Sequence, residues 1–178
     1  MTVLLCALAT NRRAHSVLFP PLATARGDGA PVTSLIELEA GSRAASVFAA
    51  SESAGVLFAT SGGNGFACRG ADLVGRTKQG KSFLTLDAGD LPLRPAVFTD
   101  GMQTVFCVSE GGRGLAFPLS ELKQLRNGGR GTILMGLDAK ESLRQAVVCG
   151  AAGVVVRGVG RGAKPIDRLL AGAALAAY

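Results

Sequence analysis

The chain has 178 residues, of which 48% are hydrophobic, so it is long enough to bury a core and too apolar to be disordered. Its basic residues outnumber its acidic ones by 19 to 13, and a net charge of +6 favours a polyanionic partner, because basic surface displaces the counterions condensed on phosphates. Four cysteines without a CxxC pair and a single histidine argue against a zinc site and favour buried free thiols in a reducing cytosol.

The first predicted unit covers residues 1–50. Its positive charges follow the apolar start instead of preceding it, which is unlike a signal peptide, and no segment approaches the about 20 apolar residues of a membrane span. We expect the chain to be part of a longer protein, because neither end has a polar cap. Short apolar runs between turn residues predict four strands: Val3–Ala9, Ala14–Phe19, Val32–Leu38 and Ser46–Ala50.

The second predicted unit covers residues 51–100 and contains the strongest hairpin signal of the chain. Asn64-Gly65 lies between two apolar runs, and both residue types tolerate the positive φ of a tight hairpin turn. The pattern predicts four strands: Val56–Thr60, Phe66–Arg69, Ser82–Leu86 and Pro95–Thr99.

The third predicted unit covers residues 101–149 and repeats this order, with one helical turn expected at Glu121–Leu125. A partial fourth unit, residues 150–178, opens with the strand Val154–Arg157 and ends in the alanine-rich stretch Lys164–Tyr178, the best helix candidate of the chain. The predicted strands of the third unit are Thr104–Val108, Leu115–Phe117, Thr132–Leu137 and Gln145–Val148.

A leucine in a loop recurs in the three full units, at Leu22, Leu73 and Leu122, with spacings of 51 and 49 residues. Seven residues after each leucine comes a glycine, and these are Gly29, Gly80 and Gly129. A fixed period of this size is typical of propellers and repeat arrays. The sequence therefore predicts one all-β domain over residues 1–178, built from units of about four strands.

Several motifs have structural explanations. Gly75–Ser82 matches the nucleotide-binding pattern GxxxxGK(S/T), but the next residues have the pattern of a strand, whereas phosphate binding needs a helix N-terminus there. Arg26-Gly27-Asp28 spells an adhesion tripeptide, for which a β-turn is the favoured role. His15 lies in a predicted strand, no GxSxG elbow exists, and the carboxylates form no recurring pair. We therefore expect no catalytic residue, metal site or cofactor in this chain.

The basic residues follow the repeat, which predicts a positive rim along one edge of each unit. Few aromatic residues are available for stacking, since the chain has one Tyr and no Trp, so the rim suits duplex phosphates better than single strands. The candidate DNA-binding residues are Arg12, Arg13, Arg26, Arg69, Arg76, Lys78, Lys81, Arg113, Lys123, Arg126 and Arg130.

Three stretches resemble the C-terminal domain found in the A subunit of bacterial DNA topoisomerase IV, within the DNA gyrase A-type repeat family. They are ATARGDGAPVTSLIELE, GFACRGADLVGRTKQGKSFLTL and GRGLAFPLSELKQLRNGGRGT, and the resemblance covers roughly residues 1–150. It implies a β-pinwheel, a propeller-like disc that exchanges strands between neighbouring blades. It also implies a basic rim that binds and bends duplex DNA and presents it to a catalytic core.

The same resemblance implies a bacterial, cytoplasmic, nucleoid-associated protein that acts in chromosome segregation. The parent enzyme would be an ATP-dependent type II topoisomerase, an isomerase, in which this domain joins the rest of its own polypeptide and a separate ATPase subunit in a heterotetramer. ATP and Mg²⁺ would be used elsewhere in that enzyme, and the lone Tyr178 matches no strand-cleavage motif.

Three alternatives stay open. The first is the related DNA-wrapping domain of the gyrase A protein, whose seven-residue box (Gln-Arg-Arg-Gly-Gly-Lys-Gly) is matched only in part by Leu125–Gly131. The second is a propeller-like protein-interaction module with incidental charge. The third is a nucleotide-binding enzyme that uses Gly75–Ser82.

Overall fold

A computed structural model describes residues 3–18, 31–75 and 77–178. Strands dominate these residues, together with short 3-10 turns and one helical turn, α1 (Ala173–Ala176). The strands are β1 (Val3–Ala9), β2 (Arg13–Leu18), β3 (Ala44–Ser51), β4 (Gly55–Ala59), β5 (Asn64–Arg69), β6 (Lys81–Ser82), β7 (Ala96–Phe98), β8 (Thr104–Ser109), β9 (Gly114–Pro118), β10 (Thr132–Ile133), β11 (Leu143–Cys149), β12 (Val154–Val159) and β13 (Pro165–Leu170). No helix in this part of the chain is long and apolar enough to cross a membrane.

Two four-stranded sheets each borrow one strand from the following repeat unit. The first sheet has the order β3-β1-β2-β6, and its last strand pairs Lys81 with Ala14 and Ser82 with Arg13. The second has the order β10-β5-β4-β7, and its first strand pairs Thr132 with Gly65. A third sheet, β11-β8-β9, and the hairpin β12-β13 follow. The fold is therefore all-β, and the exchange of strands between neighbouring sheets is that of a β-pinwheel.

Each exchanged strand follows a glycine that lies against the receiving sheet. Gly80 has a φ of 63°, and a Cβ atom there would lie 2.6 Å from the carbonyl oxygen of Ala14. Gly131 has a φ of 83°, and a Cβ atom there would collide with the carbonyl oxygen of Gly65. Positive φ and close backbone approach both select glycine. The structural counterpart of Gly80 is therefore Gly131, and the sequence-based alignment with Gly129 was wrong by two residues.

The core lies between the sheets and divides into clusters. The first cluster is built around the stacked rings of Phe58 and Phe66, whose centroids are 5.5 Å apart. Phe83 packs edge-on against Phe58 with centroids 5.3 Å apart, so the exchanged segment carries its own anchor into the core. A second cluster joins the second and third sheets, and a smaller third one, centred on Phe106 and Leu170, joins the third sheet to β12-β13.

Five element predictions need correction. The helical turn expected at Glu121–Leu125 lies earlier, as the 3-10 turn Leu119–Glu121, which begins directly after Pro118 and is closed by the N–H of Leu122 on the carbonyl oxygen of Leu119. Residues 32–38 contain a 3-10 turn, Val32–Ser34, and no strand. The alternating apolar side chains do not form one buried face, because the segment runs as a loop that buries only Ile36. The strands predicted at 82–86 and 132–137 shorten to the two-residue β6 and β10, since the rest of each segment packs as irregular chain. The first part of the alanine-rich tail is strand β13, because pairing with β12 outweighs helix propensity there, and only Ala173–Ala176 are helical.

Candidate nucleic-acid interface

Nine of the eleven predicted DNA-binding residues lie in the described part of the chain, and Arg26 and Arg76 lie outside it. Eight of the nine group at two places, and Arg113 lies outside both. We call the contact of β2 with residues 77–82 the first seam, and the contact of β5 with residues 123–133 the second seam. Because strands are exchanged, basic residues of one unit lie against the sheet of the preceding unit, so each seam combines cations of two units.

At the first seam, Arg13 holds the exchanged chain in place. Its Nε donates to the carbonyl oxygen of Gln79 and its Nη2 to that of Gly80, both at 2.8 Å, and Glu39 lies 3.5 Å away. Arg12 sits at the tip of the β1–β2 turn with a φ of 72° and an exposed side chain. The fold therefore uses Arg13 structurally and leaves Arg12 free to meet a ligand.

The two lysines of the first seam differ in the same way. Lys81 donates through Nζ to the carbonyl oxygen of Asp72 and lies 5.1 Å from the ring centroid of Phe83. Lys78 is exposed, while its carbonyl oxygen lies 3.1 Å from Nδ1 of His15. Since a carbonyl oxygen only accepts, Nδ1 is the donor, so the buried His15 supports the seam and offers no exposed base.

At the second seam, the third unit's loop runs parallel to β5. The N–H of Ala67 donates to the carbonyl oxygen of Lys123 at 3.0 Å, and the N–H of Leu125 donates to that of Ala67 at 2.9 Å. Arg69 and Arg126, from two different units, line one cleft of about 380 Å³ with Gln124. Lys123 and Arg126 are exposed.

The remaining two predicted residues are committed to acidic partners. Arg130 lies 2.6 Å from Asp87. Arg113 lies 2.6 Å from Glu141 and 3.5 Å from Asp138, and it also donates to the carbonyl oxygen of Gly136 at 2.7 Å. Hydrogen bonds from the Ser109 hydroxyl and the Asp138 N–H, together with the positive charge of Arg113, hold the pKa of Glu141 below its usual range.

Four of the predicted residues are exposed and form no ion pair with any residue of the described ranges 3–18, 31–75 and 77–178. They are Arg12, Lys78, Lys123 and Arg126. Sequence reasoning missed Gln124, whose amide lines the same cleft as Arg126. No sequence signal marks it, because its place depends on the bridge between Gln124 and Ala67, which are far apart in the chain.

Other chemistries find no support in the described residues. The nucleotide-binding pattern Gly75–Ser82 ends in the strand β6, and residues 83–90 after it contain no helix, so the helix N-terminus that holds phosphate in such sites is missing there. Neither those residues nor the rest of the described chain holds three or more metal-ligating side chains together. All four cysteines are free and buried, as predicted.

A family model described as the DNA gyrase C-terminal domain, beta-propeller, matches residues 56–91 and 103–149. Over 163 residues, 88% of this chain, the sequence is 36% identical to the A subunit of DNA topoisomerase 4 from Neisseria gonorrhoeae. It is 32% identical to the corresponding protein of Escherichia coli (strain K12) over 69% of this chain. The chain spans only 21% and 16% of the length of these two curated relatives.

Solved structures give the same family resemblance. The E. coli ParC C-terminal domain superposes with a TM-score of 0.77 and 26% identity, over 93% of this chain and 69% of that one. A DNA gyrase A C-terminal domain superposes with a TM-score of 0.71 over 90% of this chain and 52% of that one, and its 14% identity indicates a shared fold alone.

Proposed function

The chain belongs to the DNA gyrase C-terminal domain family, and from this premise we propose that it is a non-catalytic module that binds the phosphates of duplex DNA. The observation that carries the proposal is that strand exchange brings cations of two repeat units together on exposed surface at the second seam. Phosphate contacts dominate the affinity of such proteins and need no base readout.

The shape and composition of the domain favour duplex DNA over single strands. The chain has one Tyr and no Trp, and none of the seven phenylalanines in its described part is exposed, so these residues offer no row of aromatic rings on which unpaired bases could stack. Cations spaced over successive sheets can instead follow a duplex around the domain, so that binding and bending of the DNA are coupled. We therefore propose DNA bending as part of the function.

The role within a larger protein is also a proposal. The relatives are named as the A subunit of DNA topoisomerase 4, and the chain spans about a fifth of their length. The module would present DNA to the catalytic core of an ATP-dependent type II topoisomerase for strand passage and decatenation. Its partners would be the rest of its own polypeptide and the separate ATPase subunit, in a cytoplasmic, nucleoid-associated heterotetramer, with ATP and Mg²⁺ bound elsewhere.

The gyrase-like stretch Leu125–Gly131 favours bending over full wrapping. Gly128 and Gly129 both have positive φ, and the N–H of Gly129 donates to the carbonyl oxygen of Phe83, so these glycines serve strand exchange. Of its two arginines, Arg130 is paired with Asp87, which leaves Arg126 as the free cation of the stretch.

A salt titration tests the proposal. Binding of the chain to a fluorescent duplex of about 30 base pairs should weaken linearly in log affinity against log salt, with a slope of about −0.9 for each phosphate contacted. A slope equivalent to several contacts is expected. Arg113→Ala serves as a control that removes a cation already neutralised by Glu141 and Asp138, and should leave the slope nearly unchanged. A wild-type slope near zero contradicts the proposal.

One observation favours a second candidate, a protein-interaction module. The hairpin β12-β13 exposes four aliphatic side chains, with relative exposures of 50% for Val155, 74% for Val159, 50% for Ile166 and 61% for Leu169. Exposed apolar surface of this kind marks contact sites in many soluble proteins. Weak binding to the duplex at low salt, together with a flat salt dependence, would place this candidate first.

A further inference from the structure

Two arginines of different repeat units line one cleft at the second seam. Ala67 and Gln124 form an isolated parallel bridge, and Arg69 and Arg126 each lie two residues after it, Arg69 at the end of β5 and Arg126 in a turn. Both residues line the same cleft and both are exposed. The two guanidinium groups come from different repeat units, so the pair exists only where the third unit's loop has crossed to the second unit's sheet.

This pair carries more positive charge than its surroundings neutralise. Asp72 lines the cleft, but its Oδ2 accepts the backbone N–H of Arg69 at 2.9 Å and caps the 3-10 turn there. Asp100 lies 3.8 Å from Nη1 of Arg69 with a fully exposed side chain, a geometry that contributes little. The same Nη1 donates to the carbonyl oxygen of Ser53 at 2.9 Å, so a phosphate would be bound through the other donors of this guanidinium group. Two positive charges that line one cleft repel each other, so an anion bound between them would relieve a cost present in the free protein.

The first seam shows that the fold does not require these arginines. The two seams can be aligned by matching Ala14 with Gly65 in the receiving strands and Leu73 with Leu122 in the loops. In this alignment, Leu18 occupies the position of Arg69, and Thr77 occupies the position of Arg126. There the contact is made by Ser16, whose Oγ donates to the carbonyl oxygen of Leu73 and accepts from the N–H of Gly75. Strand exchange therefore forms without two cations, and the arginine pair calls for a role other than assembly.

We propose that Arg69 and Arg126 together bind one backbone phosphate of duplex DNA, with the amide of Gln124 as an additional donor. This inference rests on the function proposed above and assigns a specific phosphate subsite to it. Guanidinium groups suit the task because they donate paired N–H groups to phosphate oxygens, and the phosphate would supply the negative charge that the cleft lacks. The subsite reads no base, so its contribution is independent of sequence.

The test compares four variants on the same duplex: Arg69→Ala, Arg126→Ala, their combination, and Arg144→Ala. The last is a matched control, because Arg144 is an exposed arginine on β11, 3.9 Å from Glu110 and outside this cleft, and its loss changes the net charge equally. Arg126→Ala should weaken binding about tenfold, the size of a charge-assisted hydrogen bond, and reduce the salt slope by about 0.9. Arg144→Ala should do markedly less.

Three further results separate the subsite from other roles. Because both arginines act on one phosphate, the double variant should lose less affinity than the sum of the two single losses. Without DNA, Arg126→Ala should keep or raise the melting temperature, since it removes a repulsion. Arg126→Lys retains the charge without the paired donors and should fall between the wild type and Arg126→Ala.

Equal losses in Arg126→Ala and Arg144→Ala, or strictly additive losses in the double variant, would overturn the shared subsite while leaving duplex binding intact. A lower melting temperature with an unchanged salt slope would make Arg126 a structural residue. A flat salt dependence of the wild type would instead contradict the proposed function itself, so the two failures are distinguishable.

Discussion

At the scale of single residues, charge alone does not identify the functional cations. Arg13 and Arg113 are part of the same basic pattern as Arg12 and Arg126, yet both are held by carbonyl oxygens and carboxylates. An arginine whose donors are already used gains little from a phosphate, because it must first give up its existing partners. The candidate interface is therefore smaller than the net charge of +6 suggests.

The buried thiols lead to a prediction for alkaline pH. Burial raises the pKa of Cys6 to about 11 and the pKa values of Cys68 and Cys107 to about 12, from an unfolded value of 9.0. Their contribution to folding is complete below pH 9 and is lost as pH rises towards the folded-state pKa values, since the unfolded chain deprotonates first. The free energy of unfolding, from urea titrations between about pH 7 and 10.5, should fall above about pH 9.

The same thiols should be unreactive in the folded state. At about pH 8 the native domain should not react with an aromatic disulfide reagent, whereas the urea-unfolded chain should release four equivalents of thiolate. Fast labelling of the native protein, or a free energy of unfolding that does not change above about pH 9, would show that these side chains are solvated.

At the scale of elements, each exchange depends on a short strand held by a long loop. Strands β6 and β10 have two residues each, which is too short to be stable without the apolar anchors beside them. Phe83 follows β6 and Leu134 follows β10, and both are buried. The borrowed strands are thus fixed by core packing as much as by backbone pairing.

Gly131 provides the test at this scale. In Gly131→Ala, the new side chain would have to adopt a positive φ, and its Cβ atom would collide with the carbonyl oxygen of Gly65. The substitution should therefore lower the free energy of unfolding by about 2 kcal/mol or more. Gly89→Ala is the matched control, because Gly89 has a φ of 87° with nothing within 4 Å of an added Cβ atom. Urea denaturation of both variants measures the difference, and equal losses would contradict the role of close approach at the seam.

At the scale of the whole molecule, the sheets are not equally secured. The first two receive an exchanged strand and share the first core cluster, and the second cluster joins the second sheet to the third. The third sheet has β9 at its edge, where Tyr178 packs edge-on against Phe106 with ring centroids 6.0 Å apart. Only four buried residues make up the cluster that joins it to β12-β13: Phe106, Cys149, Leu170 and Leu175.

This gradient predicts the order of local opening. In hydrogen exchange followed by mass spectrometry, backbone amides of β12 and β13 should exchange well before those of β4 and β5, whose residues are almost entirely buried. The reason is that few apolar contacts are lost when the hairpin opens. Uniform protection across all four strands would indicate a single cooperative unit and contradict the gradient.

The sequence by itself determined the all-β class, the repeat spacing of 51 and 49 residues, the buried thiols and the basic character of the surface. These follow from local composition and from the comparison of successive units along the chain. The tertiary structure alone decided that Arg126 lies beside Arg69, that Gly131 is the counterpart of Gly80, and that the tail pairs as β13. Each of these depends on pairing between distant segments, and short segments with similar patterns do not specify which sheet they will join.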